Sequence, residues 1–406
     1  MRIPPGPQMT APHRRRGGAG MILAAVVMAM ATGACGSATP TRDGAATPAP
    51  VSPSLATSVE TTAGSWAVLP MGHLDQPLNT FWQLFFRRRG ASAWSDLASD
   101  LAVATNGGLV LATSSQKDLA VGVRPANLLE FSPLLVTSDA GHSWTPANPV
   151  AALANQPDSL AIGTGGGALA LTTTANGEQE VLESPGQLTD WHELTTSTQL
   201  GASAGGRSCG LGSLTAVGMG AATPLVAASC RRPGIVGIFS EAQTGWELAG
   251  PTLSPSLGAG SVDVIGLLPT AGGVCALLVV SIGHTTGLLA AWRSGGGTAW
   301  TTSSVLALGS RQVESFGPDG GAGFFLLAAS EGGPDSVEVM SGPGASWRGL
   351  PSPPVHTETL VFAPTGRVDA LAADDTIFTD WTLQAASASW SRSQVVNVPV
   401  QFGSSS

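Results

Sequence analysis

Seven tryptophans, Trp94, Trp144, Trp191, Trp246, Trp300, Trp347 and Trp390, follow one another at intervals of 50, 47, 55, 54, 47 and 43 residues. A period in this range marks a supersecondary unit repeated along the chain, each copy burying its apolar face against the next. Upstream of most of these tryptophans lies a Gly-centred turn followed by an apolar strand. Asn106-Gly107-Gly108 precedes Leu109-Val110-Leu111, Gly165-Gly166-Gly167 precedes Ala168 to Leu171, and Ala271-Gly272-Gly273 precedes Val274 to Leu278. Short apolar runs bounded by glycine turns read as β-hairpins, so an all-β chain with almost no helix is expected.

The best-formed copy is Thr137-Ser138-Asp139-Ala140-Gly141-His142-Ser143-Trp144. In the frame Thr-x-Asp-x-Gly-x-x-Trp, the Asp can bond its own backbone, the Gly can take positive φ, and the aromatic demands a pocket. These residues resemble the Asp-box, or BNR, repeat of sialidase-like β-propellers, with Thr137, Asp139, Gly141 and Trp144 in the four defining places. Met340 to Trp347 and Ser184 to Trp191 keep only part of the frame. The resemblance implies that Asp139 is structural, because Asp-boxes lie at the outer hairpins of blades, away from the substrate site. Together with the period it implies one β-propeller over residues 64–406, of seven blades or alternatively six. The unit around Trp94 looks one strand short, while Gln394 to Val400 is a strand with no blade after it. The first blade is therefore expected to be closed by the C-terminal strand, which would leave no open edges.

Ahead of the repeats, residues 1–34 join a basic segment, His13-Arg14-Arg15-Arg16, to an apolar run from Met21 to Ala31 and then small residues. That is the layout of a secretory signal peptide. Ala31-Thr32-Gly33-Ala34-Cys35-Gly36 resembles a bacterial lipobox, which would attach lipid at Cys35 and hold the protein on the outer face of the cell membrane. The alternative is a plain signal cut near Ala34 and a secreted protein. Residues 35–63, rich in Thr, Pro and Ala, bury too little apolar surface to fold and read as a disordered tether.

Taking the signal's four arginines from the formal charge of −9 leaves −13, which argues against nucleic-acid binding. The sequence contains no tyrosine, so the Tyr–Glu nucleophile of sialidases has no counterpart. Gly206-Arg207-Ser208-Cys209-Gly210 matches a nucleophile elbow in letters only, since strand-like rather than helical sequence follows. The histidines are scattered, no metal-ligand spacing occurs, and neither metal nor cofactor is expected. Arg124 and Glu130, between two strands of the best-formed unit, are candidates to face a ligand in the central channel. Arg87-Arg88-Arg89 reads as a solvated turn, with contact to anionic headgroups the lesser alternative. Cys209 and Cys230 flank one strand and are candidates for a disulfide; Cys275 reads as a buried thiol. A rigid face of variable loops points to a monomeric, non-catalytic binding or scaffold propeller for an envelope protein or glycan. The alternatives are a glycoside hydrolase or lyase using channel carboxylates, and an assembly or stability factor of a membrane complex.

Overall fold

The structure, a computed structural model, describes residues 57–399 apart from 73–79, 102–107, 114–118, 125–133, 147–156, 164–165, 175, 187, 189, 221–222, 244, 271–272, 296, 320, 331, 364–365 and 385–388. Among the described residues, seven antiparallel sheets follow one another. Each is a meander of one continuous stretch: 57–96, 108–146, 159–196, 211–248, 261–307, 312–350 and 359–397. Six have four strands, and the fifth carries an additional short strand, Leu306–Ala307. The first strands stand side by side around a central axis, Thr57–Glu60 touching Gly108–Thr113 on one side and Thr359–Phe362 on the other.

This arrangement explains why the strands read as uninterrupted apolar runs rather than alternating ones. The second strand of a sheet is covered on both faces by neighbouring sheets, so Leu225 to Ala228, Ala276 to Leu278 and Phe324 to Ala328 are all buried. Five of the seven periodic tryptophans make a direct contact with the preceding sheet, whereas Trp191 Nε1 donates locally to Leu188 O at 2.9 Å. Trp300 Nε1 donates to Ala249 O at 2.6 Å, Trp347 Nε1 to Ser304 O at 2.9 Å, and Trp390 Nε1 to Pro351 O at 2.9 Å. Trp144 meets Trp66 of the first sheet edge to face at 6.1 Å, and Trp94 meets Phe378 of the seventh at 6.4 Å. At these five positions the sequence period is thus the period of a contact between sheets.

Two expectations are corrected. The C-terminal strand, Trp390–Asn397, does not complete the first sheet; it pairs with Ile377–Leu383 in its own. The first sheet instead takes Thr57–Glu60, from inside the stretch read as tether, which pairs with Gly64–Gly72. Thr-Ser-Val-Glu resembles the tether in composition, yet an inner strand needs little apolar surface of its own. Ser58 is buried because its hydroxyl donates to Leu360 O at 2.6 Å in the seventh sheet.

The second correction concerns Gly206 to Gly210, expected as a flexible loop between blades; strand Leu211–Met219 does follow it, but the stretch itself is mostly helical. Between the third and fourth sheets the chain forms two short helices, α1 (Ser197–Ala202) and α2 (Ala204–Cys209). Thr196 caps α1 in a capping box with Gln199, and Ser203 caps α2 by accepting from Gly206 N at 3.0 Å. Gly210 ends α2 in the left-handed conformation at φ 64°. Cys209 and Cys230 are joined by a disulfide, which ties the end of α2 to the end of strand Pro224–Cys230. Ser208 is exposed on α2.

Candidate functional site

The first strands enclose an axial cavity of about 520 Å³. Its walls are mainly apolar, with Leu111, Ile162, Leu267 and Phe316 among them, and the charged side chains among its described lining residues are Glu60, Arg89 and Asp158. Glu60 ends the innermost strand of the first sheet. Burial pushes its carboxyl up to about 7, against the pull of the Ser65 hydroxyl and of Arg87 and Arg89. Arg89 is held in place by donating to Thr61 O at 3.0 Å. Asp158, just ahead of strand Ser159–Ile162, accepts from the Thr173 hydroxyl at 3.0 Å.

Around this cavity the titratable groups form two further clusters. At the contact of the first and seventh sheets, Arg87 pairs with Asp369 at 2.5 Å and lies over the Trp94 ring at 4.7 Å. Arg367 bridges Asp369 and Asp380, at 2.5 and 3.2 Å. Burial beside Asp369 pushes Asp380 up to about 6. Between the sixth and seventh sheets, the His356 ring lies 3.3 Å from Asp335 and 4.0 Å from Glu358. The hydrogen bond to Asp335 raises His356 to about 9, and burial raises Glu358 to about 7.

These shifts fix the sign of the pH response. Glu60, Glu358 and Asp380 are raised in the fold, so between their ordinary and shifted values the unfolded chain binds fewer protons and stability falls as pH rises. His356 is also raised; its contribution is full below its ordinary value and is lost by about pH 9. Glu60→Gln is expected to match the parent near pH 4.5 and to exceed it at pH 8 by on the order of 2 kcal/mol. Urea midpoints of the two proteins across that range check this, and parallel curves would refute it.

The residues of the Thr-x-Asp-x-Gly-x-x-Trp frame sit on the outer hairpin of the second sheet, between strands Leu134–Thr137 and Thr145–Pro146. The Thr137 hydroxyl donates to Asp139 Oδ1 at 2.8 Å and accepts from Gly141 N at 2.9 Å. Asp139 also accepts from Ser143 N at 2.9 Å and Ser143 Oγ at 2.5 Å. These bonds, Ser143's above all, hold its carboxyl down at about 2. Gly141, at φ 83°, lets the turn approach the first sheet, where a Cβ would stand 2.8 Å from Leu97 and 3.1 Å from Trp66. All of Asp139's described bonds are local, which suits a turn and leaves the axial cavity to other residues.

Of the proposed ligand-facing pair, Arg124 is the last residue of strand Leu119–Arg124, its backbone opposite Gly108. Glu130 lies outside the described residues, as does Cys35, so the pair is not seen together. Sequence reasoning missed Glu60 and Asp158. Glu60 lies in a tether-like stretch, and no motif marks either acid. The triple arginine is not a simple solvated turn. Arg87 is buried in its ion pair, Arg88 is exposed 3.3 Å from His142, and Arg89, exposed as well, lines the cavity. Cys275 is a buried thiol whose pKa burial drives upward.

An all-β chain of four-stranded antiparallel sheets, set side by side around a cavity, is a β-propeller. No family profile and no curated protein matches the sequence. Among solved structures, the periplasmic gluconolactonase PpgL of Pseudomonas aeruginosa is similar at a TM-score of 0.52, with 12% identity over 82% of this chain and 97% of that one. At this identity the likeness bears on the fold alone. The β-propeller domain of the Trilobed protease from Pyrococcus furiosus gives 0.47, with 10% identity over 85% of this chain and 99% of that one. YCF48 bound to D1 peptide gives 0.41, with 14% identity over 79% and 94%.

Proposed function

We propose that the protein is a seven-bladed, Asp-box-type propeller that acts as a non-catalytic binding module for an envelope protein or glycan, carried on lipid at Cys35. The observation that carries this reading is the axial cavity, roomy and largely apolar, with few charged groups at its walls. Such a cavity suits recognition by shape and a handful of polar contacts. Crosslinking in intact cells, followed by purification of the tagged full-length protein, tests it. One envelope protein or glycan should be recovered with the parent, and about tenfold less of it, or ~1.4 kcal/mol in binding, with the variant Glu60→Gln/Arg89→Gln. Equal recovery with parent and variant would move the binding surface away from the cavity.

A second reading rests on Glu60 itself. A carboxyl near 7 has the protonation a general acid needs, and Asp158 lines the same cavity as a second carboxyl group. Shortening of purified envelope glycan by the parent, lost in Glu60→Gln, would establish a glycoside hydrolase or lyase in place of a binding module.

A further inference from the structure

We propose that the end of the propeller at which the seven first strands begin is applied to a phospholipid surface, where Arg207, Arg231 and Arg232 hold anionic headgroups. The proposal rests on the lipid-anchor reading for its orientation but not for the chemistry of the patch.

Arg207 lies in α2, and Arg231 and Arg232 directly follow Cys230. The disulfide between Cys209 and Cys230 therefore brings all three to one corner of the fourth sheet. Two backbone bonds fix that corner, Arg231 N to Gly210 O at 3.1 Å and Arg232 N to Cys209 O at 3.2 Å. All three side chains are exposed. Among the described residues none of them forms an ion pair, whereas Arg87, Arg311 and Arg367 are each matched to a carboxylate. Arg207 Nη1 donates to Ala202 O, which holds the side chain beside the helices without neutralising it. A braced cluster of three guanidinium groups without carboxylate partners, in a chain of net charge −9, is a local exception to the overall charge. Guanidinium forks fit phosphate oxygens in a bidentate manner.

The position of the cluster names the partner. Leu211, which opens the first strand of the fourth sheet, pairs with Cys230, so the arginines stand at the end where first strands begin. Thr57 opens the first strand of the first sheet at that same end. The polypeptide upstream of Thr57, which carries the lipobox-like Cys35, joins the propeller there. An anchor upstream of Thr57 would tether the protein from this end and allow, without forcing, its approach to the membrane; once there, the arginines would meet headgroups within the Debye length of about 8 Å. Arg87-Arg88-Arg89 cannot take this part, because it closes the third strand of the first sheet at the opposite end and Arg87 is spent on Asp369.

The test uses the exported chain from residue 35 onward, which contains the whole compact unit Thr47–Ser406, with Cys35→Ser so that no lipid contributes. Sedimentation with phosphatidylglycerol-containing vesicles is compared with pure phosphatidylcholine vesicles. Binding to the anionic vesicles only is expected, each cation contributing about fivefold. Arg207→Gln/Arg231→Gln/Arg232→Gln should then lose at least about tenfold. The charge-matched variant Arg88→Gln/Arg348→Gln/Arg392→Gln should stay within about twofold of the parent, and matching thermal melts show that both variants fold. Equal losses in the two triple variants would reduce the effect to net charge and overturn the proposal. Failure of the parent to bind anionic vesicles, or capture of soluble polyglutamate in their place, would overturn it too. Whether Cys35 carries lipid is read separately, from the mass of the membrane-extracted protein, so the anchor can fail while the patch stands.

Discussion

Arg87→Met is expected to destabilise the fold by about 3–5 kcal/mol, because it leaves the buried carboxylate of Asp369 without one of its two paired cations. Arg87 is 4% exposed and Asp369 0%. Arg87 Nη1 and Asp369 Oδ2 have no hydrogen-bond partner, so the 2.5 Å contact is an ion pair without donor alignment. Asp369 keeps Arg367 and the Thr382 hydroxyl, at 2.5 and 2.8 Å, but these engage its other oxygen. The neighbouring Asp380 then adds repulsion that Arg87 had offset. Chemical denaturation of Arg87→Met measures the loss. Arg87→Met/Asp369→Leu should recover much of it, since replacing both partners of a buried pair with apolar groups is often near neutral. If the double variant is less stable than the single one, the packing of these side chains rather than their charge holds the first and seventh sheets together.

The second large effect is expected at the disulfide. Cys209→Ala/Cys230→Ala should cost about 3 kcal/mol by the loop-closure relation for a sequence separation of 21. The loss should be local in character. Each of the helices α1 and α2 has six residues, far below the length at which a helix is stable alone, and they are held by Leu200, buried under them, and by the bridge. Hydrogen exchange over 197–210 should accelerate in the variant, while Ala276 to Leu278 keeps its protection until global unfolding. Reductant should reproduce the effect in the parent and change nothing in the variant. Unchanged exchange over 197–210 would mean that capping by Thr196 and Ser203 suffices.

The sheet architecture was legible because the tryptophan period reports a contact that five of the seven sheets make with a neighbour, and the strands announce themselves through glycine turns and apolar runs. What escaped was carried by residues with no pattern. Thr57–Glu60 resembles its disordered-looking neighbours and becomes a strand because the seventh sheet offers a carbonyl to Ser58. α1 and α2 are too short for helical periodicity to register, and their caps, Thr196 and Ser203, are visible only once the helices are known. Arg87 and Asp369 are separated by most of the chain, so nothing local pairs them. Within the candidate site, Glu60 owes its character to burial, which a single sequence does not display. The Thr137–Trp144 turn was the reverse case, since every described bond of Asp139 lies within four residues and its turn could be read directly.

Because each sheet is one continuous stretch, the order in which the chain emerges during synthesis matches the order in which its sheets can finish. Residues 57–96 contain every strand the first sheet uses, so that sheet need not wait, half-built and sticky, for the last strand of the protein to appear. The only late event is the docking of the seventh sheet on the first. Among the described residues, apart from the bridge between Gly72 and Asp375, that docking uses side chains, such as Gln394 clasping the backbone of Trp94 at 2.7 and 3.0 Å. A latch of this kind can be released and remade without unthreading a strand.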